Sequence, residues 1–182
     1  AQSGQTPDVM IVSCCDSRVD PETIFSAMPG ELFVVRNVAN LVPPFETQGK
    51  YHGVSAALEF AALNLRVKHI VVLGHSGCGG VRACLDSDGL RQTAAAFVIN
   101  WMSMLDGARE RVLAAQPHGS PAELRRALER EGIKTSLDNL RTFPCIEQLE
   151  AKGRIALHGA YFDIAEGSLS VLDPTTAALV AL

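Results

Sequence analysis

The sequence predicts an α/β fold: a mostly parallel central sheet of four to five strands, helices on both faces, and a last strand that runs antiparallel. Three observations lead there. Short β-rich apolar runs alternate with segments whose apolar residues recur at helical spacing. A glycine-rich turn, Gly74-His75-Ser76-Gly77-Cys78-Gly79-Gly80, joins one such run to a helix start. No repeat, linker or low-complexity stretch interrupts the 182 residues, which predicts a single domain over 1–182.

Each element follows from its own residues. Asp8 to Ser13 is a short apolar run that reads as a buried first strand ending at Cys14. Asp20 caps a short helix, with Pro21 at its first position and Glu22 in its first turn; Pro29-Gly30 ends it. Glu31 to Val38 is the second strand, and Pro43-Pro44 marks a loop. Val54, Ala57, Leu58, Ala61, Ala62 and Leu65 share one helical face, so Gly53 to Leu65 is a crossover helix. His69 to Leu73 is the third strand, with a short helix from Val81 to Leu85 beyond the turn. Thr93 to Ala115 is a longer helical stretch. After the turn at Pro117 to Pro121, Ser120 and Glu123 match a capping box. Ala122 to Glu131 is helical and charged, and is expected to be a solvated face; Thr135 to Leu140 and Ile146 to Ala151 are two further helices, split at Phe143-Pro144. Arg154 to Phe162 and Ser168 to Leu172, with Gly167 between them, read as a closing hairpin.

Composition narrows the function classes. A net charge of -4 without a Lys/Arg cluster argues against a nucleic-acid surface. No apolar run approaches the ~20 residues of a membrane span, and no signal peptide is visible. Five cysteines, an odd number in a chain with a core of its own, favour reduced thiols and a cytoplasmic location. Cys84 and Cys145 read as small buried hydrophobes. His69, His118 and His158 read as structural or solvated.

In open α/β sheets ligands sit beyond the carboxyl ends of strands, where the strand order reverses. Cys14 ends the first strand and His75 the third, so neighbouring strands would deliver both to one crevice. His75 and Cys78 are spaced so that an imidazole and a thiolate reach one metal ion. Side chains alternate in extended backbone, so Cys14, Asp16 and Arg18 share one side, and Cys14 rather than Cys15 is the better third ligand. Two thiolates and one imidazole suit zinc. Asp16 could complete the shell itself. Alternatively, Arg18 could clamp it as a carboxylate beside a zinc-bound hydroxide, formed because zinc lowers the pKa of water from 15.7 to about 7.

Cys14-x-Asp16-x-Arg18, then Arg36-Asn37-Val38-Ala39-Asn40, then His75-x-x-Cys78-Gly79-Gly80, in this order, resemble the beta-class carbonic anhydrases. The likeness runs from about Gln5 to the last strand. Phe33-Val34-Val35-Arg36-Asn37, Val42-Pro43-Pro44 and Tyr51-x-Gly53-Val54-x-Ala56-Ala57 point to the plant-type branch. The resemblance implies one zinc per chain on Cys14, His75 and Cys78, with Asp16 and Arg18 as the catalytic dyad. It implies that Gln5 and the Gly79 amide bind bicarbonate. It also implies that Phe33, Val38 and Phe60 line the carbon dioxide pocket, part of it supplied by a second subunit of a homodimer. The expected activity is reversible hydration of carbon dioxide. The branch often carries tyrosine where this chain has Phe60 and histidine where it has Asn64, which leaves two readings of His52: a replacement proton shuttle or a surface residue. The same scaffold also hosts carbonyl sulfide and carbon disulfide hydrolysis. A zinc-stabilised domain without catalysis would instead have four protein ligands.

Overall fold

A computed structural model describes residues 4–86 and 96–182. Six strands form one sheet in the order β2-β1-β3-β4-β5-β6: β1 (Val9–Cys14), β2 (Leu32–Asn37), β3 (His69–His75), β4 (Ala156–Asp163), β5 (Ser168–Leu172) and β6 (Leu179–Ala181). The first four are parallel, and β5 and β6 are antiparallel to their neighbours. The expected hairpin is β4–β5. The sixth strand was not expected: it is only three residues long, lies at an edge and has two of its residues exposed, so burial gives it no pattern to read.

β1 is buried almost throughout because both of its faces are covered. Met10 and Val12 enter one core, and Ile11 enters another on the opposite face. The two faces differ in cover. On one, α2 (Gly53–Glu59) with its π-helical continuation Phe60–Leu65, α6 (Pro121–Arg141) and α7 (Pro144–Ala151) enclose the larger core. On the other, Ile24 of α1 (Pro21–Ile24), Phe25, Val19 and Ile164 pack with the buried strand residues Ile11, Leu73 and Ala160 and the half-buried ones around them. A third core gathers Cys14, Cys78 and Ala39 with α3 (Gly79–Leu85), α4 (Ala96–Met102), α5 (Asp106–Ala115) and Leu128 of α6. The expected helix from Thr93 to Ala115 is α4 and α5 joined by a 3-10 turn, Ser103–Leu105; residues 93–95 lie outside the described residues.

The charged stretch from Ala122 is not the solvated face it was expected to be. It runs on without a break to Arg141, and Leu128, Glu129, Gly132 and Ile133 are buried. The capping box at Ser120 and Glu123 starts this helix. Two glycines let it lie close to the sheet. A Cβ at Gly74 would stand 2.7 Å from Ile133 Cδ1, and one at Gly159 would stand 2.7 Å from Ile133 Cγ2. We expect Gly159→Ala to cost about 1–3 kcal/mol, since the added methyl overpacks this contact. Urea unfolding would read that loss as a lower midpoint at unchanged slope.

Candidate metal centre

The chain runs from β1 outward to β2 and then crosses back to β3, so the strand order reverses between β1 and β3. Cys14 ends β1 and His75 ends β3, as the sequence predicts. Gly77, at φ 71°, turns the chain where a side chain would be strained, and Cys78 then caps α3. The result is a buried cluster of Cys14, His75 and Cys78, whose ligand atoms all lie within 4.8 Å of one another.

The chemistry of this cluster suits a cation. His75 Nδ1 lies 3.0 Å from the Ser76 carbonyl, which assigns it the proton and leaves the lone pair on Nε2. Nε2 is buried and has no hydrogen-bond partner among the described residues, a rare state for a buried nitrogen that a metal ion relieves. The Cys78 hydrogen bond outweighs burial and pulls Cys14 down to about 4, while the same bond pushes Cys78 far up. A bound cation displaces the thiol protons and takes both sulfurs as thiolates. Backbone N–H groups of Asp16 and Ala39 face the Cys14 sulfur, and those of Gly80 and Val81 face the Cys78 sulfur. Thiolate charge is thus stabilised from both sides.

Asp16 and Arg18 form a tight pair beside the cluster. Arg18 Nε donates to Asp16 Oδ1 at 2.8 Å, Nη2 to Oδ2 at 2.6 Å, and the Arg18 backbone N–H to Oδ1 at 3.0 Å. The Arg18 hydrogen bond, ahead of the opposing effect of burial, holds the Asp16 carboxyl well below the usual carboxylate range. Arg18 Nη2 also reaches the Gly77 carbonyl at 3.3 Å, tying the dyad to the metal turn.

Other expected residues divide into two groups. Val38 lies against the metal turn, with Cγ1 2.9 Å from where a Gly80 Cβ would stand, and Gly79 is the first residue of α3. Gln5, Phe33 and Phe60 do not converge on their own chain's cluster. Gln5 precedes the start of β1 while the cluster lies past its end, and six residues of strand span roughly 20 Å. Phe33 pairs with Met10 in the register, four residues short of the Cys14 level, roughly 13 Å. Phe60 keeps company with Phe33, their ring centroids 6.0 Å apart. Beside the cluster opens a cleft of about 830 Å³, lined by Cys15, Asn37, Val38, His52 and Trp101 among others.

Several residues support the site in roles that the sequence did not assign them. Arg36 donates to the carbonyls of Cys14, Asp16 and Val19 at 3.0, 2.7 and 2.9 Å, fixing the loop that carries the dyad. Trp101 Nε1 donates to the Val38 carbonyl at 2.8 Å. That bond, with the Asn37 side chain bridging to Leu41, holds two successive left-handed residues, Ala39 and Asn40. Glu129, 3% exposed, accepts from the Cys78 N–H at 3.0 Å and from the Tyr161 hydroxyl at 2.8 Å. Burial raises its carboxyl, against the lowering effect of these two bonds.

Fold and cluster together define an α/β protein with a cysteine–histidine cluster able to hold a metal ion at the switch point of its sheet. The carbonic anhydrase family model matches residues 9–169. A carbonic anhydrase of Pseudomonas aeruginosa is 40% identical over 98% of this chain and 79% of its own length. The solved beta-carbonic anhydrase CcaA superposes with a TM-score of 0.93 at 34% identity, over 100% of this chain and 86% of its own. A structure from a study of two tetrameric beta-carbonic anhydrases of the ascomycete Sordaria macrospora superposes at 0.78 with 30% identity, over 94% of this chain and 83% of its own. The chain belongs to the beta-carbonic anhydrases, a family of lyases.

Proposed function

We propose that this chain catalyses the reversible hydration of carbon dioxide to bicarbonate and a proton, with one zinc ion per chain and with sites shared in a homodimer. The observation that carries the reading is the meeting of Cys14, His75 and Cys78 beside the Asp16–Arg18 pair in a member of this family. Cys14 Sγ, His75 Nε2 and Cys78 Sγ would hold the zinc. When bound, zinc supplies a Lewis acid that ionises water near neutral pH.

The chain's own residues do the rest. Asp16, kept ionised by Arg18, can only accept a hydrogen bond. It therefore takes the proton of the attacking oxygen as a hydrogen bond and leaves a lone pair facing the carbon. Val38 supplies an apolar wall against which carbon dioxide rests without competing water. The Gly79 N–H, first in α3, has no partner within the helix and is free to donate to a bicarbonate oxygen. His52, lining the cleft, is placed to carry the released proton outward.

Gln5, Phe33 and Phe60 serve the site of the neighbouring chain in this reading, since they are remote from their own. Exposed apolar side chains support a covered face: Tyr51 is 94% exposed and Phe97 88%, and both line the cleft. Mixing two inactive chains tests both halves of the proposal. In a heterodimer of His75→Ala with Gln5→Ala, one site combines the intact His75 of one chain with the intact Gln5 of the other. Co-refolding should raise stopped-flow hydration above the sum of the two homodimers, with zinc at about half occupancy. A zinc-loaded wild-type protein that does not hydrate carbon dioxide would overturn the activity. A mixture no better than its parts would overturn the shared site.

A further inference from the structure

We propose that Glu129 is a positioning residue of the metal centre, holding the Cys78 N–H so that the Cys78 sulfur is fixed on the ion. The inference rests on the zinc reading given above. Its basis is geometric. Cys78 sits where β3 has ended and α3 has not yet begun, so its N–H has no partner in either element. Glu129 Oε1 meets that N–H at 3.0 Å. The other carboxylate oxygen accepts from the Tyr161 hydroxyl at 2.8 Å, and Arg125 Nε lies 3.7 Å from Oε1. The side chain is 1% exposed.

The fold brings this carboxylate to the turn by close packing. Glu129 lies one helical turn before Ile133, the residue that Gly74 and Gly159 admit against the sheet. Gly74 directly precedes His75 in sequence. The contact that seats the helix on β3 thus also sets the reach of Glu129 to Cys78. A buried carboxylate is costly unless its oxygens are fully engaged, and an apolar side chain of the same volume would serve the core as well or better. A carboxylate at this position is explained by what it holds. The Gly80 and Val81 N–H groups face the Cys78 sulfur, and Glu129 takes the N–H of Cys78 itself. The peptide of Cys78 is then pinned at both ends. Partners beyond the ligands of a metal site orient those ligands in the same way.

The test measures metal affinity rather than turnover. Zn²⁺ and Co²⁺ dissociation constants are read by competition with a chromophoric chelator, alongside the thiolate-to-cobalt charge-transfer band. Three variants separate the roles. Glu129→Gln keeps an oxygen for the Cys78 N–H, and Tyr161→Phe leaves Glu129 in place. The double variant Glu129→Met with Tyr161→Phe removes the carboxylate together with the hydroxyl that donates to it, so no hydroxyl is stranded in the core and the Cys78 N–H loses its acceptor. We expect the double variant to bind zinc about 10–100-fold more weakly with a shifted cobalt band, while the two single variants stay within about threefold of wild type. A double variant with wild-type affinity and spectrum would overturn the proposal. So would equal losses in Glu129→Gln and the double variant. A wild-type protein that binds neither ion would instead remove the zinc reading itself, a result separable from both.

Discussion

Replacing His75 with alanine is expected to strip zinc from the protein and to reduce carbon dioxide hydration to the buffer background. Three protein ligands converge here, and Asp16 is engaged with Arg18, so among the described residues no fourth side chain is in place to compensate. With His75 gone, a cation has to displace the thiol protons with only two protein ligands in return. Without the ion, the pKa of water returns from about 7 to 15.7, so the hydroxide population at neutral pH falls by on the order of 10⁸. The Asp16–Arg18 pair and the Gly79 N–H remain in place but have no nucleophile to orient. Elemental analysis of zinc and stopped-flow hydration on the same sample measure the effect. The core does not depend on the His75 ring alone, since β3 stays paired with β4 along its length and with β1 from His69 to Leu73. Circular dichroism should therefore report an intact fold. A variant that kept its zinc and its turnover would show that the ligand set is wrong.

The metal cluster was legible because its residues lie at the ends of strands that betray themselves. β1 and β3 are buried on both faces and so appear as unbroken apolar runs, which leave little choice of boundary. Cys14, His75 and Cys78 then stand at the carboxyl edge for topological reasons alone. Glu129 was missed for an opposite reason. The stretch around it is rich in Arg and Glu at helical spacing, the usual mark of a solvated face. A signal was nevertheless present: Glu129 continues the stripe Ile133, Leu137 and Leu140, so a charge stands on the apolar side of the helix. Reading that segment as two helices concealed the stripe. Gln5, Phe33 and Phe60 mark a different boundary. Sequence order places them in a motif set, yet it does not distinguish a residue's own site from that of a neighbouring chain. Only the direction of β1 and the register with β2 separate them from their own Cys14.

Asp16→Asn is expected to lower kcat/KM by on the order of 10²-fold while leaving zinc content unchanged, because it spoils orientation rather than binding. An amide in place of the carboxylate brings donors to where an acceptor is needed, and the attacking oxygen loses its fixed aim. Arg18→Ala is a sharper instrument. Its guanidinium is the main cause of the lowered Asp16 pKa, so its loss returns Asp16 toward its ordinary 3.8. That value is still far below neutrality, and Asp16 stays ionised at pH 7 with or without Arg18. The variant should thus be less impaired than Asp16→Asn at pH 7, through lost positioning alone. The metal-dependent rise of activity near neutral pH should keep its midpoint. The sign for stability follows the same shift. A carboxyl whose folded pKa is depressed contributes stability above its unfolded value and loses it as the pH falls through the folded one. Any stability difference between Arg18→Ala and wild type should be complete at pH 7 and shrink only below about pH 4. The two substitutions act on one unit, so adding Arg18→Ala to Asp16→Asn should cost little more. A displaced midpoint near neutrality in Arg18→Ala, or simple additivity of the two losses, would show that Arg18 acts on the metal site by a route other than Asp16.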